Sequence, residues 1–349
     1  GQLHREFDAY YDWMHHGESS TYIYYYGLAN PYVHQDRERA LRFAGMYIGE
    51  DEEAQNWDPV HKMIRSPING SRGPQFEMSA EDWVTHREVL AGYLSPYEDV
   101  PGLDPNDPKA IADWNDDEAF GEVLKRMNAR MVPGDVPLNL NATSLVTSAY
   151  MYTGDEKYRR WVLDYVEAWA ERAKRNGGII PDNVGPNDEI GERMDGKWWG
   201  GYYGWRWPHG SMNILESTLI GGSNALLLTG DDSYLDLHRS QWDALWALGE
   251  ERDGAFQTPN RHGDVGWFDY RAPNVRYPLH LYCLTRKPAD RARMERCGPL
   301  STRGGFSKGG QYTPFAWFDL VDGGNAGAAD EMLDATYQEM CRRLALIRD

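Results

Sequence analysis

A repeat with a fixed spacing constrains this chain more than any other feature. Residues 145–158 read Leu-Val-Thr-Ser-Ala-Tyr-Met-Tyr-Thr-Gly-Asp-Glu-Lys-Tyr, and a long amphipathic stretch then leads to Gly177-Gly-Ile-Ile-Pro181. Residues 221–234 read Gly-Gly-Ser-Asn-Ala-Leu-Leu-Leu-Thr-Gly-Asp-Asp-Ser-Tyr, and a second such stretch leads to Gly254-Ala-Phe-Gln-Thr-Pro259. Thr153-Gly-Asp155 and Thr229-Gly-Asp231 lie 76 residues apart, and Tyr158/Tyr234 and Gly178/Gly254 keep that offset. A weaker copy runs from Arg42 to Asp51. Each copy encodes a helix stopped by glycine and a second helix started by aspartate, whose carboxylate caps free N–H groups. In the first copy Tyr158, Trp161, Val162, Tyr165, Val166 and Trp169 recur at intervals of three and four, one apolar stripe. Tyr234, Leu235, Leu237, Trp242, Leu245 and Trp246 match them in the second. The unit is an αα-hairpin.

Further helices are expected over Asp36–Ile48, Ala80–Leu94, Asp116–Met131 and Gly327–Ile347, and strand signals are few, as at Gly178–Pro181. Long loops are expected at 55–76, 95–112, 181–210 and 255–275. Their Trp, Tyr, His and Arg content argues for function rather than disorder. The sequence also predicts a single domain over 1–349. It ends within a helical pattern, which leaves room for a further C-terminal domain.

Composition narrows the partners. The net charge of −18 opposes nucleic acid and anionic membranes, though a local basic pocket could still receive an acidic sugar. No apolar run is long enough to span a bilayer, so no membrane insertion is expected. Cys283, Cys297 and Cys341 have neither metal spacing nor an even count, although Cys283 and Cys297 could pair. No metal-ligand spacing, phosphate loop or dinucleotide fingerprint occurs, so no metal and no cofactor are expected.

The segment Gly196-Lys-Trp-Trp-Gly-Gly-Tyr-Tyr-Gly-Trp-Arg-Trp-Pro-His-Gly210 concentrates aromatic rings in a stretch broken by glycines. Such a segment cannot bury every ring as a regular helix or strand would. Flat apolar faces beside a few polar groups suit a sugar ring. Trp198, Trp199, Tyr202, Tyr203 and Trp205 are the expected stacking surfaces, and Arg206, His262 and Arg276 the expected anion contacts. A buried aromatic core is the competing reading.

Repeated hairpins with Thr-Gly-Asp turns and aromatic-rich loops resemble the (α/α) toroid of carbohydrate-active enzymes, over roughly residues 36–347. Among its members the polysaccharide lyases of the glucuronan and alginate type look closest. The resemblance implies an all-α fold and β-elimination on a uronic-acid polysaccharide or oligosaccharide. Such an enzyme would be secreted or periplasmic, although no signal peptide is visible. Elimination removes the C5 proton beside a carboxylate and expels the C4-linked oxygen, so it needs a base, a proton donor and a group that takes up the carboxylate charge. Lyases of this kind use His and Tyr for proton transfer and Asn, His or Arg for neutralisation.

His209 and Tyr270 are the candidates for proton transfer. A histidine titrates near neutral pH, at about 6.5 unperturbed, and Arg271 beside Tyr270 would stabilise its phenolate. Asn141, Arg206 and Arg271 are the candidates to hold the uronate carboxylate, with Asn183 a second asparagine candidate, and Asn141 serves equally well as a helix cap. The run Tyr22–Tyr26 with His15 and His16, or the segment Asn69–Pro74, would close the cleft from the other side. Two alternatives stand beside elimination. One is a glycoside hydrolase drawing a carboxyl pair from Asp182, Asp188, Glu189, Asp195, Asp264 and Asp269, spaced about 5–5.5 Å or about 6.5–9.5 Å apart. The other is a glycan-binding protein without catalysis.

Overall fold

The computed structural model describes residues 34–70, 73–84, 87–297, 322 and 327–348. The Tyr22–Tyr26 run, His15, His16, Ser71 and Arg72 lie outside the described residues. The chain divides into two compact units, residues 1–271 and 272–349.

In the first unit the repeat dictates the geometry as expected. Helix α4 (Ala142–Thr153) ends at Gly154, whose φ of 66° is the left-handed conformation that closes a helix. The Thr153 hydroxyl donates to the Ala149 carbonyl (2.7 Å) and accepts from Asp155 N–H (3.1 Å). Asp155 then caps α5 (Glu156–Arg175) by accepting from Lys157 N–H at 3.0 Å. The second copy repeats this atom for atom. Helix α6 (Ser211–Thr229) ends at Gly230 with φ of 74°. Thr229 bridges the Ala225 carbonyl (2.7 Å) and Asp231 N–H (3.0 Å), and Asp231 accepts from Ser233 N–H (2.9 Å). A 3-10 turn, Asp232–Leu235, then leads into α7 (Asp236–Ala247).

The apolar stripe of α5 is buried throughout, from Tyr158 to Trp169. Helix α4 packs against α5, α6 and the earlier helix α1 (His34–Ile48), so its buried residues face helices on several sides. A polar contact crosses this core: Asn224 on α6 donates to the Thr143 (2.8 Å) and Ser144 (3.1 Å) hydroxyls on α4.

The all-α toroid expectation is corrected by the strands, which make this a mixed, mainly helical chain. Two short antiparallel pairs, β1 (Trp57–Asp58) with β2 (Met63–Ile64) and β3 (Asn69–Gly70) with β4 (Gly73–Pro74), precede a three-stranded sheet. That sheet runs β5 (Glu250–Arg252), β6 (Ala255–Gly263), β7 (Gly266–Arg271), antiparallel throughout, with Arg261 opposite Phe268 and His262 opposite Trp267. It replaces most of the loop expected at 255–275. The strand signal failed because Pro259 through Gly263 are all buried, on both faces of β6, and are mostly polar. No alternation of apolar and polar residues exists there to be read.

Two other expectations shift. The helix over Ala80–Leu94 resolves into a 3-10 turn, Ala80–Trp83, and a one-turn helix α2 (Arg87–Leu90). Trp83 is buried edge-on to Trp114 and Tyr202, whereas Val84 is exposed, so the run has no continuous apolar stripe. Gly178–Pro181 is irregular backbone, held by Gln241 of α7, which accepts from Ile180 N–H (2.8 Å) and donates to the Gly178 carbonyl (2.9 Å). Helix α3 (Asp117–Arg130) forms as expected, with Asp116 as its cap.

In the second unit α8 (Arg276–Thr285) packs on α9 (Pro288–Arg296), and α10 (Ala328–Arg348) follows. Cys283, Cys297 and Cys341 are free thiols. Among the described residues no helix is long and apolar enough to cross a membrane.

Candidate active site

The aromatic segment is organised around one buried carboxylate. Asp182 is fully buried and accepts from the backbone N–H groups of Gly200 (3.1 Å), Gly201 (2.8 Å) and Trp205 (2.8 Å). A Cβ on Gly201 would lie 1.9 Å from the Asp182 carbonyl oxygen, and one on Gly204 would lie 2.2 Å from its Oδ2. These glycines therefore allow the chain to wrap the carboxylate.

Wrapping sorts the rings. Tyr202 and Trp205 sink into the core, Trp205 donating its indole N–H to the Ile180 carbonyl (2.7 Å). Trp207 stacks on Trp114 with centroids 5.9 Å apart. Tyr203 is half-buried against Tyr202 and Trp207. Trp198 and Trp199 stay half-exposed, and of the five expected stacking surfaces Trp199 is the one that lines the cleft. Tyr202 and Trp205 are structural rings.

The cleft is lined by Trp199, Arg206, Lys197, Arg130, Glu98, Asp99 and Asp195, among others. Its central group is Glu98, in the loop expected at 95–112. Arg206, 1% exposed, donates from Nε to the Ser95 carbonyl (3.0 Å) and from Nη1 to Glu98 (3.0 Å), while its Nη2 has no hydrogen-bond partner. From the other side the β6–β7 hairpin delivers Asp264, whose backbone N–H donates to both Glu98 oxygens at 2.9 Å. The approach needs Gly263, because a Cβ there would stand 2.6 Å from Glu98 Oε1.

The Asp264 carboxylate takes Lys197 on both oxygens (2.7 Å) and the Trp199 indole N–H (3.2 Å). Two carboxyl groups thus meet, and their proton affinities separate. Burial, with the negative Asp264 beside it, raises Glu98 in spite of Arg206. Asp264 is lowered, because the bonds from Lys197 and its neighbours outweigh its own burial. At the cleft's edge Arg130 grips Asp99 (2.8 and 2.5 Å) and holds that carboxyl at about 2.

His262 lies behind Trp199. Its ring centroid is 4.4 Å from that of Trp198, 4.7 Å from Trp199 and 4.8 Å from Trp267, and its Nδ1 has no partner. Burial pushes the imidazole down to about 4, so it is neutral at pH 7 and does not act as the expected anion contact.

The other expected residues stand apart from the cleft lining. His209 is half-buried and edge-on to Tyr93 (5.5 Å), at the start of α6. Tyr270 lies under the guanidinium of Arg252 at 3.6 Å, and Arg271 is exposed and paired with Asp269 (2.7 Å). The structure does not assemble His209 and Tyr270 at the cleft. Asn141 is buried at the end of a 3-10 turn, Pro137–Asn141. Asn183 braces the loop by donating to Asp182 (3.2 Å) and to the Lys197 carbonyl (3.0 Å). Arg276 is exposed on α8, in the second unit. Of the carboxylates considered for hydrolysis, Asp188 is tied to Arg172 and Arg175, and Asp269 to Arg261 and Arg271. Asp195 alone of that set lines the cleft, while Asp264 borders it through Glu98.

The buried groups give stability a definite pH slope. Burial raises Asp135 and Asp182 from 3.8 to about 6. Each contributes fully below 3.8, and the contribution is lost as pH rises through 6. His262 runs the other way: its neutral form contributes fully above 6.5, a contribution lost as pH falls through about 4. Three raised carboxyls, Glu98 among them, against one lowered imidazole make the first unit lose stability as pH rises from about 4 to about 6. Urea midpoints across that window should fall with pH, and Asp182→Asn should flatten the fall. A midpoint that climbs with pH in the unmodified protein would contradict these assignments.

Among the described residues no three His, Cys, Asp or Glu side chains group to hold a metal ion. Fold and site together define a mixed, mainly helical protein with a charge-balanced, tryptophan-edged cleft. The chain belongs to the family described as Domain of unknown function (DUF8034), whose model matches residues 1–258 and 248–349. No curated protein and no solved structure matches it.

Proposed function

We propose that the protein is a carbohydrate-active enzyme that hydrolyses a glycosidic bond in this cleft, with Glu98 as the proton donor. The observation that carries the reading is the position of Glu98. It is a carboxyl of raised proton affinity, fixed by Arg206 and the Asp264 N–H, beside the indole of Trp199. A carboxyl tuned upward is the group suited to protonating a leaving glycosidic oxygen near neutral pH. Asp195, another carboxylate of the cleft lining, is the group available to activate water or to attack the anomeric carbon. Trp199 offers the flat face on which a pyranose ring stacks.

The charge of the cleft supports this order of preference. Glu98, Asp99 and Asp195 balance Arg130, Lys197 and Arg206, leaving no excess positive charge for a polyuronate. Elimination at a uronate is the second reading, and one observation favours it: the Arg206 Nη2 lacks a partner and could serve a substrate carboxylate. With an extracellular polysaccharide as substrate, secretion or periplasmic residence goes with either reading.

A panel of neutral and uronate-containing oligosaccharides tests the proposal. New reducing ends without ultraviolet absorbance support hydrolysis. The absorbance of an unsaturated uronate supports elimination and removes hydrolysis. Binding without either product reduces the protein to a glycan receptor.

A further inference from the structure

Helix α10 carries a feature that the cleft does not use. Leu333, Tyr337, Met340, Leu344 and Ile347 recur at intervals of four, three, four and three, the seam spacing of a two-stranded coiled coil. On a helix packed into its own domain such a row is buried. Here Leu333 is 69% exposed, Tyr337 68%, Met340 56%, Leu344 50% and Ile347 79%. A row of this length, about two heptads, exceeds the scattered apolar residues that any surface shows.

Charge is divided along the same helix. Its first half carries Asp330, Glu331 and Asp334, with no basic residue through Gln338. Its second half sets Arg342 and Arg343 against Glu339, which accepts from both at 2.7–2.8 Å and leaves that half net positive. A parallel pair of such helices would set acidic half against acidic half. An antiparallel pair sets acidic against basic and also opposes the two helix dipoles.

We propose that the seam is covered by α10 of a second copy of this chain, packed antiparallel, so that this helix is a dimerisation element. The two-fold axis passes near Met340, which brings Cys341 of one copy beside Cys341 of the other. Two heptads bind weakly without help, so the dimer should dissociate on dilution.

Sedimentation velocity of the full chain over a wide concentration range should show a reversible monomer–dimer equilibrium. Tyr337→Glu combined with Leu344→Glu should be monomeric throughout while its Trp fluorescence stays unchanged. Mild oxidation should give a Cys341-linked dimer that Cys341→Ser abolishes. Asp334→Cys in the Cys341→Ser background should not link to itself, because in the antiparallel pair position 334 faces the far end of the other helix. A wild-type chain that stays monomeric, or a dimer that survives the double substitution, would overturn the proposal. Ready self-linking of the Asp334→Cys variant would overturn the antiparallel arrangement. A monomer that instead binds anionic vesicles through α10, and loses this in the double variant, would assign the seam to a membrane surface.

Discussion

Glu98→Gln should lower kcat by about 100-fold to 10,000-fold, the range expected when a general acid is lost. Glutamine preserves the shape of the side chain and can still accept from Arg206 and the Asp264 N–H. It has no proton to give to a leaving oxygen. KM should therefore change little and the fold should be intact, which steady-state kinetics and a thermal melt would establish together. A folded variant with undiminished kcat would remove Glu98 from the chemistry. A rise in KM with kcat unchanged would make it a binding group instead.

The largest stability effect should come from Asp182→Ala. The substitution strips the acceptor from three backbone N–H groups, those of Gly200, Gly201 and Trp205, that water does not reach in the folded chain. Each buried donor left unsatisfied costs about 1–3 kcal/mol, and partial relaxation of the loop offsets some of that. A loss of about 3–5 kcal/mol is expected, a large fraction of the stability of a typical domain. Urea denaturation followed through Trp fluorescence measures it. Asp182→Asn, which keeps one acceptor oxygen, should be milder. Near-equal stabilities for Asp182→Ala and the unmodified protein would mean that the aromatic segment is held by ring packing alone. Because that segment carries Trp199 and Arg206, the same variant should also lose activity.

What could be read from the sequence follows from how local each cause is. The Thr-Gly-Asp turns complete their hydrogen bonds within four residues, so the hairpins and their ends were legible. The aromatic segment was legible as important. Its division into core and cleft was not, because that depends on Asp182, 23 residues from Trp205. Glu98 was missed altogether. It sits beside Asp99 in a stretch rich in Pro and Asp, which reads as solvated surface. The groups that tune it lie 108 and 166 residues further along the chain, at Arg206 and Asp264. A long loop with Ser-Pro-Tyr-Glu at its start was the only signal available. His209 and Tyr270 illustrate the converse: chemically suitable residues in suggestive loops that the fold commits to packing against Tyr93 and Arg252.

The Gly263–Asp264 tip reaches Glu98 from a ribbon buried over Pro259–Gly263 and tied to its surroundings, Arg261 donating to the Pro208 carbonyl (2.7 Å) and Asn260 accepting from the Ser211 hydroxyl of α6 (2.9 Å). Its reach is therefore fixed by the scaffold beneath it, and its exposed tip, as at Val265, is where change is tolerated. A shift of the Asp264 N–H would change the proton affinity of Glu98 directly, because that one donor serves both of its oxygens.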